Sequence, residues 1–133
     1  LLTQSENPRV AIDQIIAEME EGLAGARRSA TTAAGNADRL FAEIQAHRQQ
    51  ADQWSERARE SLKARQDDEA RLSLLRKRET DDLIAGLVQQ HHAAEATREH
   101  LATMQRALEA RLAEALRRRS AMEHGVPAAD HPT

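Results

Sequence analysis

Apolar and small side chains recur at alternating steps of four and three through most of this chain, and that rhythm limits what it can fold into. From Pro8 onward they fall at Ile12, Ile16, Met19, Leu23, Ala26, Ala30, Ala33, Ala37, Leu40, Ile44, His47, Ala51, Trp54 and Ala58. A step averaging about 3.5 residues is the seam of a helix packed lengthwise on another helix, knobs into holes. A second stripe runs through Leu74, Lys77, Ile84, Leu87, His91, Ala94, Arg98, Leu101, Gln105, Leu108, Leu112, Ala115, Arg119 and Met122. Composition removes most alternatives. Aromatic residues are 2% of the 133, charged residues are 31%, and much of the 40% hydrophobic fraction is alanine. Too few bulky side chains remain to close a core around a catalytic pocket.

The punctuation of the two stripes predicts a hairpin. Asn7-Pro8 reads as a helix start, with Asn7 as the capping acceptor and Pro8 at the first helical position. A break at Gly35-Asn36 would give three helices. The seam nevertheless passes from Ala30 and Ala33 to Ala37 and Leu40 without losing phase, which a turn has no reason to preserve. The next break is QDDEA at 66–70. There Asp67 or Asp68 can cap a new helix, and Asp67, Asp68 and Glu69 load its first turn with negative charge. Gly125, with Pro127 just beyond, stops the second stripe. The expected fold is all-α: two long helices forming an antiparallel coiled-coil hairpin over 8–125, with helices at 8–65 and 70–124 and a tip at 66–69. Residues 1–7 are expected as a short stub and 126–133 as a disordered tail. Each helix of about 55 residues would span about 85 Å. Folded at its midpoint, residue i faces roughly residue 134 − i, so that Ala26 meets Leu108 and Leu40 meets Ala94, small against large.

Several chemistries find no support. A net charge of −3 announces no nucleic-acid binder, and the absence of cysteine removes disulfides and thiolate sites. No apolar run approaches the ~18 residues of a membrane span. The serines lie in helical or stub positions without a glycine elbow, and no glycine-rich loop cradles a phosphate. In QQHHAAEATREH, His91 and His92 point about 100° apart on a helix, and His100 lies well beyond both, so neither a metal nor any other cofactor is expected. His47 and His91 fall about one turn apart across the expected register, where joint protonation would weaken the pairing. Arg27-Arg28 and Arg117-Arg118-Arg119 are basic clusters. The triplet lies across from Glu18, Glu20 and Glu21, which predicts rim ion pairs in place of a phosphate or membrane site.

Residues 6–23, ENPRVAIDQIIAEMEEGL, go beyond a general coiled coil. They resemble the start of the core hairpin in the phage-shock-protein A family, which also contains the vesicle-inducing protein of plastids and is grouped with the ESCRT-III membrane-remodelling superfamily. The family pattern is an acidic residue and Asx before Pro, a basic residue, then an apolar repeat into Ile/Met-x-Glu-Met-Glu. Glu6, Asn7, Pro8 and Arg9 match it, followed by Ile15-Ile16-Ala17-Glu18-Met19-Glu20. Trp54 resembles the family's tryptophan late in the first helix. Asp67-Asp68-Glu69-Ala70-Arg71 is similar to its Glu-Asp-Leu-Ala-Arg tip, and Lys77 to a basic position soon after. Glu69 stands where the family has Leu, and the tail after Gly125 departs from it. The family's N-terminal amphipathic membrane helix is not visible here, and Leu1-Leu2 is expected to be its stump.

The resemblance implies a non-enzymatic, membrane-stress-response scaffold, cytoplasmic and peripheral on the inner (cytoplasmic) membrane. It implies self-assembly into homo-oligomers, inhibitory binding to an AAA+ transcription activator, and contact with anionic membrane through the N-terminal helix, with no direct nucleic-acid contact. The alternative is a generic antiparallel coiled-coil adaptor or dimerisation rod without a membrane role. Ile12, Ile16, Met19, Leu23, Leu40, Ile44, Leu101, Leu108, Leu112 and Met122 are expected to carry the hairpin seam. Trp54 reads equally as a seam anchor and as a contact for another subunit or the activator. Phe41 is a second candidate for lateral contact. Asp68 and Arg71 either cap and pair at the tip or serve assembly.

Overall fold

The computed structural model describes residues 7–125, which form two helices joined by a tight turn: α1, Pro8–Lys63, and α2, Asp67–Glu123. Asn7 starts α1. Its Oδ1 accepts from the backbone N–H of Arg9 (3.2 Å) and Val10 (3.4 Å), two donors that have no partner within the helix. Proline at the first helical position costs nothing there, because its missing N–H would have gone unused. α1 then continues through Gly22, Gly25 and Gly35 without a break. A two-helix seam therefore replaces the three-helix alternative.

The reversal takes three residues, Ala64, Arg65 and Gln66, and it comes earlier than the expected tip at 66–69. Gln66 N–H donates to the Ser61 carbonyl at 2.8 Å and Arg65 N–H to the Leu62 carbonyl at 3.0 Å, the paired bonds of a Schellman cap. That cap needs a left-handed residue, and Arg65 supplies it with φ 60°. The Gln66 carbonyl then accepts from Ala70 N–H at 3.0 Å, so Gln66 opens α2 and neither aspartate is the cap. Asp67, Asp68 and Glu69 instead fill the first turn of α2, where their charge complements the helix dipole. At the far end Gly125, φ 71°, donates to the Met122 carbonyl at 3.2 Å and closes α2. The expected tail at 126–133, and the stub at 1–7 apart from Asn7, lie outside the described residues.

Each helix contributes to two compact units, one joining Leu1–Thr31 to Glu99–Thr133 and one formed by Thr32–Arg98. In the first, Ile16, Leu23 and Ala115 are buried, flanked by half-buried Ile12, Met19, Leu101, Leu108, Leu112 and Met122. In the second, Ala37, Leu40 and Ala94 form a cluster with Leu87 packed on it, and Ile44, Ala51, Ala58, Ala70 and Ser73 are also buried. Among the described residues six of the ten buried apolar ones are alanine, which lets the two backbones approach closely along a narrow seam. Cross-helix ion pairs give the register. In the first unit Arg9 meets Glu123 (2.7 Å), Arg119 meets Asp13 (3.5 Å) and Arg27 meets Glu109 (3.4 Å); in the second, Arg98 meets Asp38 (3.1 Å). In the first unit rising numbers on α1 meet falling numbers on α2, so the helices run antiparallel there, and in the second the three-residue turn reverses the chain. The pairs 9 with 123 and 27 with 109 bracket the 134 − i relation from either side.

Two further expectations need correction. Leu74 is not on the seam: it is 50% exposed, and Ser73 takes the layer at 7%. A three-residue turn holds the helices so close beside it that Ala58, Ala70 and Ser73 fit the neighbouring layers where a leucine does not. The arginine triplet also pairs differently. Arg117 and Arg118 bond Glu114 one turn back on their own helix, at 2.7 and 3.5 Å, and only Arg119 crosses, to Asp13. Among the described residues no ion pair forms at Glu18, Glu20 or Glu21. Local i, i+3 and i, i+4 geometry wins because Glu114 lies one helical turn from both arginines on the same helix.

Candidate functional site

A helix in a two-stranded seam buries one stripe, so the flanks of that stripe are the surfaces left for function. Beside the turn, Trp54, Arg57 and Ser61 of α1 and Leu72, Ser73 and Arg76 of α2 line an open groove of about 520 Å³. Trp54 is half-buried at its seam position, and the Arg57 guanidinium lies 4.7 Å from the centre of its ring. A cation over an indole face holds the ring in place and leaves one edge for a partner. Arg76 is held by Glu79 at 3.1 Å, and its carbonyl accepts from the Thr80 hydroxyl at 3.0 Å.

Phe41 lies next to seam residue Leu40 but turns outward, half-exposed, with its ring 5.9 Å from that of His91 at an interplanar angle of 45°. That contact gives His91 an aromatic neighbour, while His47 Nδ1 lies 3.1 Å from Gln50 Oε1. Asp68 and Arg71 stand 3.9 Å apart in nearly full solvent, a pair of little energetic value. The structure thus places Trp54 beside the turn groove, Phe41 with His91 along the flank, and Asp68 and Arg71 on the first turn of α2.

The first unit carries a different groove, of about 400 Å³. Ile12, Ile15 and Met19 of α1 form its apolar wall, and Ala110, Arg111, Glu114 and Arg118 of α2 form the other side. Ile15 enters the sequence reading only within the family motif, and Arg111 does not enter it. Their signal is weak, because Ile15 precedes the seam residue Ile16 and the heptad rhythm accounts for only one of the two. Leu72, Leu75 and Leu83 were also passed over, and all three are about half exposed on α2. Their signal was stronger: leucines at 72, 74 and 75 crowd one turn, and a seam accepts one side chain per layer.

Among the described residues no group of His, Asp or Glu is placed to hold a metal ion, and no helix is long and apolar enough to cross a membrane. What this geometry offers is display of apolar flanks on paired helices. The PspA/IM30 family model matches residues 1–124. The chain belongs to the PspA/IM30 family. It is 31% identical over 114 residues to a phage shock protein A homolog of Deinococcus radiodurans, covering 86% of this chain and 51% of that protein. It is 28% identical over 123 residues to the chloroplastic membrane-associated protein VIPP1 of Oryza sativa subsp. japonica, covering 92% and 39%. It is 28% identical over 133 residues to the membrane-associated protein Vipp1 of Synechocystis, covering 97% and 48%. This PspA/IM30 chain therefore spans about half the length, or less, of the curated relatives it matches. Its helical hairpin places Trp54 at the turn groove and the Glu6-to-Glu20 motif along the start of α1, with Glu6 outside the described residues.

Proposed function

We propose that this chain is the hairpin scaffold of a membrane-stress-response protein, and that it acts by presenting surfaces, without catalysis. The observation that carries the reading is the family match across residues 1–124 on a hairpin whose flanks expose large apolar side chains. Such side chains are costly to leave in water and mark surfaces that meet partners. In this reading the hairpin assembles laterally with further copies of itself, with Phe41, Asp68 and Arg71 as contacts. Trp54 and its groove beside the turn receive the AAA+ transcription activator and hold it inactive; a half-buried tryptophan clamped by arginine is the type of residue that dominates interfaces. Contact with anionic membrane comes from an amphipathic helix preceding the hairpin, which would hold the protein on the cytoplasmic face of the inner membrane.

The test is co-purification with the AAA+ domain of an activator lacking its DNA-binding segment, together with that domain's ATPase rate. Capture and a lowered rate, both lost in Trp54→Ala, support the reading. A hairpin that neither binds nor slows the ATPase leaves a coiled-coil adaptor without this regulatory role.

A further inference from the structure

Two surfaces among the described residues complement each other. The groove of the first unit has an apolar floor, Ile12, Ile15 and Met19, and a basic rim, Arg111 and Arg118. Glu114 on that rim is already engaged by Arg117 and Arg118. Arg111 forms no ion pair among the described residues. In the second unit, α2 carries an exposed ridge: Leu72, Leu75 and Leu83, each about half exposed, with Glu79 and Asp82 among them and Arg71, Arg76 and Arg78 along its edges. Glu79 is held by Arg76, whereas Asp82 forms no ion pair among the described residues.

Spacings of three to four residues keep Leu72, Leu75, Glu79, Asp82 and Leu83 on one broad face of the helix. A helix face with apolar residues at its ends and acids between them suits an apolar groove with basic edges. The leucines would lie on Ile15 and Met19, and Asp82 would face Arg111. Opposite charges at the rim fix register and exclude wrong partners, and the apolar contact supplies most of the affinity.

We propose that the groove at Ile12, Ile15 and Met19 of one copy receives the leucine ridge of α2 at 72–83 from a second copy. This rests on the self-assembly reading above and adds a second pair of surfaces to its Phe41, Asp68 and Arg71 contacts. The contact joins two different patches, so it is heterologous: every added copy leaves one groove and one ridge open. Such contacts build rings or filaments and never stop at a symmetric pair.

Sedimentation velocity over a range of concentrations tests it, starting from the 14.8 kDa chain. The variants are a groove-reversed chain, Arg111→Glu with Arg118→Glu, and a ridge-reversed chain, Glu79→Arg with Asp82→Arg. All four positions are outside the buried set, and far-UV circular dichroism confirms that both variants remain helical. Each alone is expected to self-associate at least about tenfold more weakly than the natural chain. A chain carrying all four reversals is expected to recover association, since the complementary pairs are rebuilt with swapped sign. If the natural chain associates and the two-site reversals change nothing, or if the four-site chain stays as weak as they are, the assigned surfaces are wrong while self-assembly stands. A natural chain that remains a monomer at every concentration overturns the assembly reading and this inference with it.

Discussion

Leu40 and Phe41 are neighbours in sequence, similar in size, and opposite in environment. Leu40 is 4% exposed in the cluster with Ala37 and Ala94, whereas Phe41 is 52% exposed. Hydrophobicity alone ranks the phenylalanine as the costlier loss; position on the seam reverses the order. Leu40→Ala removes three carbons from a nearly dry site, a transfer loss of about 2.4 kcal/mol at ~0.8 per carbon. The cavity contribution is small here, because Leu40 also lines an open groove of about 330 Å³ with Ala93 and Thr97, and water can fill the space. The expected cost is about 2.5–3 kcal/mol, near the low end for buried leucine. Phe41→Ala loses a ring already half in water and its contact with His91, so its cost stays under about 1 kcal/mol. Urea unfolding followed at 222 nm measures both. With a slope of about 2 kcal/mol/M, Leu40→Ala moves the midpoint down by about 1.3 M, and Phe41→Ala by less than about 0.5 M. Two protein concentrations are needed, since any self-association adds stability by mass action. Equal shifts for the two variants, or a larger one for Phe41→Ala, would refute the assignment of the seam.

Arg65→Gly relieves a left-handed residue in the turn and raises stability by about 1 kcal/mol, visible as a higher melting temperature. Ser73→Leu forces a large side chain into the tight layer beside the turn and costs about 1–3 kcal/mol, while Leu74→Ser costs no more than about 1 kcal/mol; the opposite order in a urea titration would restore Leu74 to the seam. Gly35→Ala adds stability of up to about 1 kcal/mol by thermal melt, because a Cβ there meets nothing within 4 Å. Asn7→Ala removes the two capping bonds and costs about 1 kcal/mol by the same measurement.

The hairpin was legible because a seam is a one-dimensional object. Thirteen steps of four and three from Ile12 to Ala58 fix a face, and none of those residues is exposed in the structure. The turn was harder. Its signal is a residue in the left-handed region, usually glycine, and here an arginine occupies it. The sequence therefore pointed to the aspartates that follow, which charge the first turn of α2 without capping it. Ser73 was missed for a related reason: choosing between 73 and 74 by hydrophobicity favours leucine, whereas the spacing of the backbones beside a three-residue turn favours serine. Side-chain pairing was the least legible. Glu18, Glu20 and Glu21 face the arginine triplet on paper, yet Glu114 lies one turn away from two of those arginines and captures them first.

The distribution of large and small side chains carries the last step of the reasoning. Among the described residues six of ten buried apolar ones are alanine, while Leu62, Leu72, Leu74, Leu75 and Leu83 stand about half exposed. Each buried methylene contributes about 0.8 kcal/mol, so a hairpin built for its own stability alone would place leucine inside and alanine outside. This chain does the reverse around its turn. An alanine seam brings the backbones close and narrow, which leaves both flanks of the pair open to a neighbouring helix, and leucines on those flanks make such a neighbour worth having. On the proposed self-assembly, stability withheld from the intramolecular seam becomes available between molecules. Exchanging the two, with Ala51→Leu and Ala58→Leu inside or Leu72→Ala and Leu75→Ala outside, separates these contributions. The outer pair should lower the melting temperature of dilute monomer by no more than about 4 °C per substitution, since each side chain is already half in water, and abolish its rise with concentration. A concentration-independent fall well beyond that would mean that the exposed leucines serve the hairpin itself.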